Sequence, residues 1–189
     1  LISYIITKNF STQVLYSTIL ISSALYLFFI SIVDLKNENL KLSQKISHSA
    51  FSILIISIIL NSLFSEEVSV NLKKGEEKKL SNYILKFENV SKMEIDNFTS
   101  LKAEIHIIQN NNKLKFYPEL RLYKVPEIIT SEADIKTNLL SDNLVVVNYL
   151  KNTDYLNIRY QKKPFMLLIW LSAFMLATGG LMGLRKYLK

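Results

Sequence analysis

Three long apolar runs constrain this chain more than any other feature: Val14 to Val33, Ile46 to Phe64 and Phe165 to Leu184. A hydrocarbon core of about 30 Å takes roughly 20 helical residues to cross, and each run is long enough to do so. Between the second and third lies a polar segment of about 98 residues, Glu66 to Lys163, which is large enough to form a small domain of its own. The expected organisation is a first transmembrane helix with its connector at 1–45, a second helix at 46–65, an external domain at 66–163, and a last helix with its tail at 164–189.

Composition narrows the function classes. The chain has no cysteine, which excludes disulfides, thiolate metal sites and a cysteine nucleophile within it. The net charge of +7 comes from lysines scattered along the polar segment and gathered at the ends of the spans. That pattern suits a membrane surface, so the expected partner is lipid and no nucleic acid is expected. The first apolar run follows no basic n-region and precedes no small-residue cleavage site, so it does not read as a signal peptide. Because the chain starts at Leu1 without methionine, it is expected to be the tail of a longer protein.

The connector "DLKNENLKLSQK" carries Lys36, Lys41 and Lys45, and the tail carries Arg185, Lys186 and Lys189. The positive-inside rule puts both in the cytoplasm, and three crossings then put the polar segment outside. Arg159, Lys162 and Lys163 sit at the outer end of the last span, but long translocated domains obey the rule weakly.

Within the polar segment, "LKAEIHII" alternates, with Leu101, Ala103, Ile105 and Ile107 on one face. The run "KLKFYPELRLY" returns after the asparagine-rich "QNNN", predicting a hairpin centred on Gln109 to Asn112. "VSVNL", "YILKFENV", "LVVVNYL" and "YLNIRYQ" read as further strands, with Pro118 and Pro126 at edges or turns. The fold class expected is therefore membrane α-helical, three helices, with a mostly antiparallel β domain between the second and third. In the last helix, Gly179 and Gly183 are four apart, with Ala173 and Ala177 on a neighbouring stripe; small residues at that spacing predict close packing on other helices of the same protein, or a dimer.

The chain has two histidines. His48 is the titratable residue within the second span, and an intramembrane ionisable group usually faces a partner, a cavity or a cofactor. Its imidazole suits axial ligation of haem iron; the plain alternative is a residue near a helix start that bonds to headgroups or solvent. His106 alternates with Ile105 and Ile107, so its ring is expected to point away from them, toward solvent or another protein. The acidic pairs Glu66-Glu67 and Glu76-Glu77 read as a solvated face. No serine-histidine-acid set, phosphate loop or two-histidine zinc motif is visible, so no catalytic residue is assigned.

The order of short motifs is distinctive: "SLFSEE" closing a histidine-bearing span, "VNLKKGEEKKLSNYILKFENV", "FYPELRLY", "TSEADI" and "YQKKPFMLLIWLSAFMLATGG". From about Lys45 onward the chain resembles the C-terminal region of the CcmF/CycK family, the membrane haem lyase subunits of cytochrome c maturation. It departs from the family pattern at Asn82, where glycine often precedes the tyrosine, at Leu120, where lysine is usual, and at Ser49, where leucine and glycine tend to follow the histidine. The resemblance implies a part in covalent attachment of haem to the C-x-x-C-H thiols of apocytochrome c, with a haem chaperone and other maturation subunits as partners. It also implies a structural haem b held by two histidines, of which His48 matches one as axial iron ligand, the other lying upstream of Leu1. The family's tryptophan-rich haem-handling loop is not within these residues, so the chain is expected to be a lyase fragment, not catalytic alone. The implied location is the bacterial inner membrane with the β domain periplasmic, or the mitochondrial inner membrane for an organellar protein. The competing reading is a membrane-anchored interaction module of the cell envelope without a cofactor; a transporter comes third, lacking buried carboxylates or broken helices in the spans.

Overall fold

The computed structural model describes residues 12–80, 82–109, 112–150 and 153–184. The basic tail from Arg185 and the turn residues Asn110 and Asn111 lie outside them. The chain divides into two compact units, Ser65–Lys163 and the helical remainder.

The helical unit contains α1 (Thr12–Lys36), α2 (Leu42–Phe64) and α3 (Met166–Leu184). All three are long and apolar enough to cross a membrane. Helices α1 and α2 extend past the apolar runs because the flanking Leu, Lys and Gln are good helix formers. The Lys41 amide donates to Gln44 Oε1 at 3.1 Å, the reciprocal half of a capping box, which starts α2 at Leu42. Helix α2 packs against both others. The residues buried on it are Ala50, Ser52 and Ser57, facing a bundle that also buries Ala24, Ser31 and Ser172. Small side chains of this kind let helices approach closely where lipid supplies no hydrophobic drive. Large apolar residues such as Phe29, Trp170 and Phe174 are left outward and exposed.

The second unit is an antiparallel β-sandwich. Its strands are β1 (Glu66–Leu72), β2 (Glu77–Lys79), β3 (Ile84–Ile95), β4 (Phe98–Gln109), β5 (Asn112–Phe116), β6 (Glu119–Lys124), β7 (Glu127–Glu132), β8 (Asp134–Thr137), β9 (Ser141–Tyr149) and β10 (Leu156–Pro164). One sheet has the order β1-β10-β9-β8; the other runs β2-β3-β4-β6-β7, with β5 also paired to β4. The predicted hairpin is present, with Gln109 paired to Asn112. The return run, read as one strand, is broken into β5 and β6. Pro118 has no amide to donate to the ladder, and its carbonyl accepts from the Ala103 amide across the break at 2.9 Å. The chain crosses from one sheet to the other at Ala133, within the "TSEADI" motif.

The inward faces meet in one core that includes Leu85, Phe87, Ile105, Ile107, Phe116, Val145, Val147 and Ile158. Tyr83 and Tyr160 meet edge to face at 5.1 Å, and the Tyr160 hydroxyl donates to Asn143 Oδ1 at 2.8 Å. Burial, ahead of the nearby Tyr83 and Glu66, pushes the Tyr160 phenol up to about 12, so it stays a neutral donor.

Candidate functional site

His48 is the seventh residue of α2, which starts at Leu42, so it lies about one and a half turns into the helix. Residues Leu27, Ser31 and Asp34 recur at helical spacing along α1 and face it. The Asp34 carboxylate lies 2.8 Å from the His48 ring, Oδ2 to Nδ1. One turn earlier, the Ser31 hydroxyl shares its hydrogen between the Leu27 carbonyl at 2.8 Å and the His48 carbonyl at 3.1 Å. The Lys45 ammonium donates to the Leu35 carbonyl at 3.0 Å. These three links fix the register of α1 against α2 around the histidine.

His48 and Asp34 stand on the wall of a groove of about 430 Å³, lined also by Leu27, Ile30, Phe51 and Ser52 and by Leu176 of α3. The lining is mostly apolar, with a few polar groups converging at one end, as small-molecule sites usually are. With Nδ1 engaged by a carboxylate, the neutral ring carries its proton on Nδ1 and keeps the Nε2 lone pair for another partner. Among the described residues no group of three His, Cys, Asp or Glu gathers to hold a bare ion. A single imidazole supplies one coordination position, which suits a metal that brings its own equatorial ligands.

Asp34 is the residue that reading the sequence missed. Its signal was an acid closing an apolar run, 14 residues before a histidine that opens the next.

His106 differs from expectation. Its ring does point away from Ile105 and Ile107, yet it is only 4% exposed and faces neither solvent nor a free surface. It lies on β4, a central strand, between Lys86 of β3 and Lys115 of β5, so it is flanked by a strand on each side. Nδ1 is 2.9 Å from Glu88 Oε1 and Nε2 is 2.8 Å from Glu104 Oε1. Glu88 is presented by a β-bulge between Phe87 and Asn89. The Lys86 ammonium, 2.9 Å from it, is the main cause holding the Glu88 carboxyl below the ordinary range, with His106 adding to it. Both ring nitrogens are thus committed within the sandwich. The pairs Glu66-Glu67 and Glu76-Glu77 are exposed, as a solvated face requires.

A family profile described as the CcmF C-terminal beta-sandwich matches residues 63–164. The cytochrome c-type biogenesis protein CcmF of Pseudomonas fluorescens is 29% identical over 140 residues, covering 74% of this chain and 21% of that protein. CcmF of Haemophilus influenzae is 26% identical over 156 residues, covering 82% of this chain and 24% of its own length. Among solved structures, one titled Cytochrome c Heme Lyase CcmF superposes with a TM-score of 0.59 at 13% identity, covering 74% of this chain and 23% of that one. The chain spans about a fifth to a quarter of the length of these relatives. The profile covers more than half of the chain and coincides with its β-sandwich, and on that match the chain belongs to the CcmF family.

Proposed function

We propose that this chain is the C-terminal part of a membrane haem lyase subunit that takes part in attaching haem covalently to apocytochrome c. In this reading His48 supplies one axial ligand to a haem b within the helical unit. The observation that carries it is the pairing of His48 Nδ1 with Asp34 beside an apolar groove, which leaves Nε2 as the coordinating nitrogen. The donor set fits haem: one imidazole, no cage for a bare ion among the described residues, and apolar walls for a flat ring. When bound, the haem supplies one-electron redox chemistry that keeps delivered haem iron in the oxidation state needed for release. The residues of this chain hold and orient it: His48 coordinates, Asp34 fixes the ring, and Leu27, Ile30, Phe51 and Leu176 exclude water. His106 is spoken for by Glu88 and Glu104, so the second axial ligand comes from residues outside these 189.

The β-sandwich faces the periplasm in a bacterial inner membrane, or the intermembrane space of a mitochondrion, where apocytochrome c, the haem chaperone and the other maturation subunits are met. The lysine-bearing connector at 35–45 and the tail from Arg185 stay in the cytoplasm. The cofactor-free envelope module finds no comparable support, since the relatives carry cytochrome c biogenesis in their names.

The test is His48→Ala in the full-length protein. Loss of the bis-histidine haem spectrum and of c-type cytochrome assembly is expected, with His106→Ala keeping both. A normal, stoichiometric haem spectrum in purified His48→Ala protein overturns the ligand assignment.

A further inference from the structure

We propose that Asp34 is a positioning residue for the haem ligand: its carboxylate accepts the Nδ1–H of His48, holds the ring in the orientation that presents Nε2, and makes that nitrogen a stronger donor. The inference rests on the reading of His48 as an axial ligand and assigns α1 a part in setting the properties of the bound haem.

Three observations converge. The Asp34 side chain is only 20% exposed, its partner His48 is 53% exposed, and the groove beside them is lined by Leu27, Ile30 and Phe51 together with Ser31 and Ser47. A carboxylate in a membrane segment is costly unless partnered, and its partner here is the imidazole at 2.8 Å. The second observation is that this pairing is built into the backbone. Ser31, one turn before Asp34, bonds the carbonyl of His48 itself, so α1 grips the same residue by main chain and ring at once. Rotation of α1 that broke one contact would strain the other. Third, a neutral histidine has two tautomers, and a carboxylate acceptor at Nδ1 selects the one whose Nε2 lone pair is free. A ring with no such partner is divided between both tautomers and turns about its χ2 bond.

The chemical consequence follows from charge. An anionic acceptor at Nδ1 pushes electron density into the ring, raises the basicity of Nε2 and favours ferric over ferrous iron. Outer partners of this kind typically change metal affinity by about 10- to 100-fold when removed.

The experiment uses the full-length protein purified with its haem. Asp34→Asn keeps the shape and removes the charge; it is expected to retain the bis-histidine spectrum while its midpoint potential rises. Asp34→Ala removes the acceptor, and haem affinity is expected to fall by about 10- to 100-fold. Asp34→Glu, which keeps a carboxylate one methylene further out, should return the potential toward the wild-type value. Should the amide variant fail to accumulate in the membrane, Asp34→Ser carries the same potential measurement. A merely structural role for Asp34 would alter accumulation but not the potential of the haem that is bound. If His48→Ala loses the haem while Asp34→Asn and Asp34→Ala leave potential and affinity unchanged, this inference is overturned and the ligand assignment stands. If His48→Ala keeps its haem, both are overturned.

Discussion

Gly179 of α3 lies directly against Ser47 of α2, so closely that a methyl group on Gly179 would collide with the Ser47 hydroxyl and press on the backbone at Ser43 and Ser47. The neighbouring glycines are different: a methyl at Gly180 or Gly183 meets nothing. One position in this helix therefore sets how near α3 can come to the helix that carries His48.

Gly179→Ala is accordingly expected to cost about 1–3 kcal/mol through overpacking, and Gly179→Leu to part the two helices. Gly180→Ala and Gly183→Ala should be neutral. Thermal unfolding of the purified full-length protein in detergent, with haem absorbance as a second readout, checks this; equal stability of the Gly179→Ala and Gly183→Ala variants would refute the close approach.

The β-sandwich has its own core and is expected to fold when residues 65–163 are produced alone, giving a circular dichroism spectrum dominated by β-structure. In that domain Phe116→Ala should cost about 3–5 kcal/mol by leaving a cavity. His106→Ala should also lower the stability of the domain, because a buried ring held between Glu88 and Glu104 is lost. Urea unfolding measures both. A mainly helical spectrum, or a His106→Ala domain as stable as the parent, would count against this account.

Glu119 gives the domain a definite acid response. The Ser100 hydroxyl, ahead of the Arg121 guanidinium at 2.9 Å, holds its carboxyl below the ordinary value of 4.5, although partial burial opposes them. A carboxyl whose folded value is depressed contributes stability above its unfolded value, and loses that contribution as pH falls through the folded one. The stability gap between the parent domain and Glu119→Gln should therefore be present near about pH 7, at no more than about 1 kcal/mol, and close below about pH 4.5. Urea titrations across that range decide it; a gap that widens on acidification would reverse the sign.

Much of the fold was legible because the patterns were local. Apolar length gave the three helices, and alternation in "LKAEIHII" put Ala103, Ile105 and Ile107 in the core. What could not be read depended on partners far apart in the chain. The strands β7 and β8 are short and leave Ile128, Ile129 and Ile135 exposed, so no alternation of buried apolar residues marks them in the sequence. Of the small residues of α3, Ser172 and Gly179 face the bundle, whereas Ala173 and Ala177 are exposed, since composition does not say which side of a helix finds a neighbour. His106 was expected on an open surface because alternation tells which face a residue occupies, but not what covers that face. Of the candidate site, His48 could be named from its position in an apolar run. Asp34 could not, because its pairing depends on how α1 turns toward α2.

The first and last strands of the sandwich are hydrogen-bonded neighbours, with Glu66 opposite Lys162. Strand β1 starts two residues after α2 ends, and α3 starts two residues after β10 ends. The two ends of the domain thus lie side by side, at Glu66 and Lys162. The entropic burden of closing the α2–α3 hairpin is that of a short turn, whatever the length of chain suspended beyond it. A domain whose ends are paired in this way can be enlarged, exchanged or trimmed over evolutionary time while α2 and α3 keep their seam.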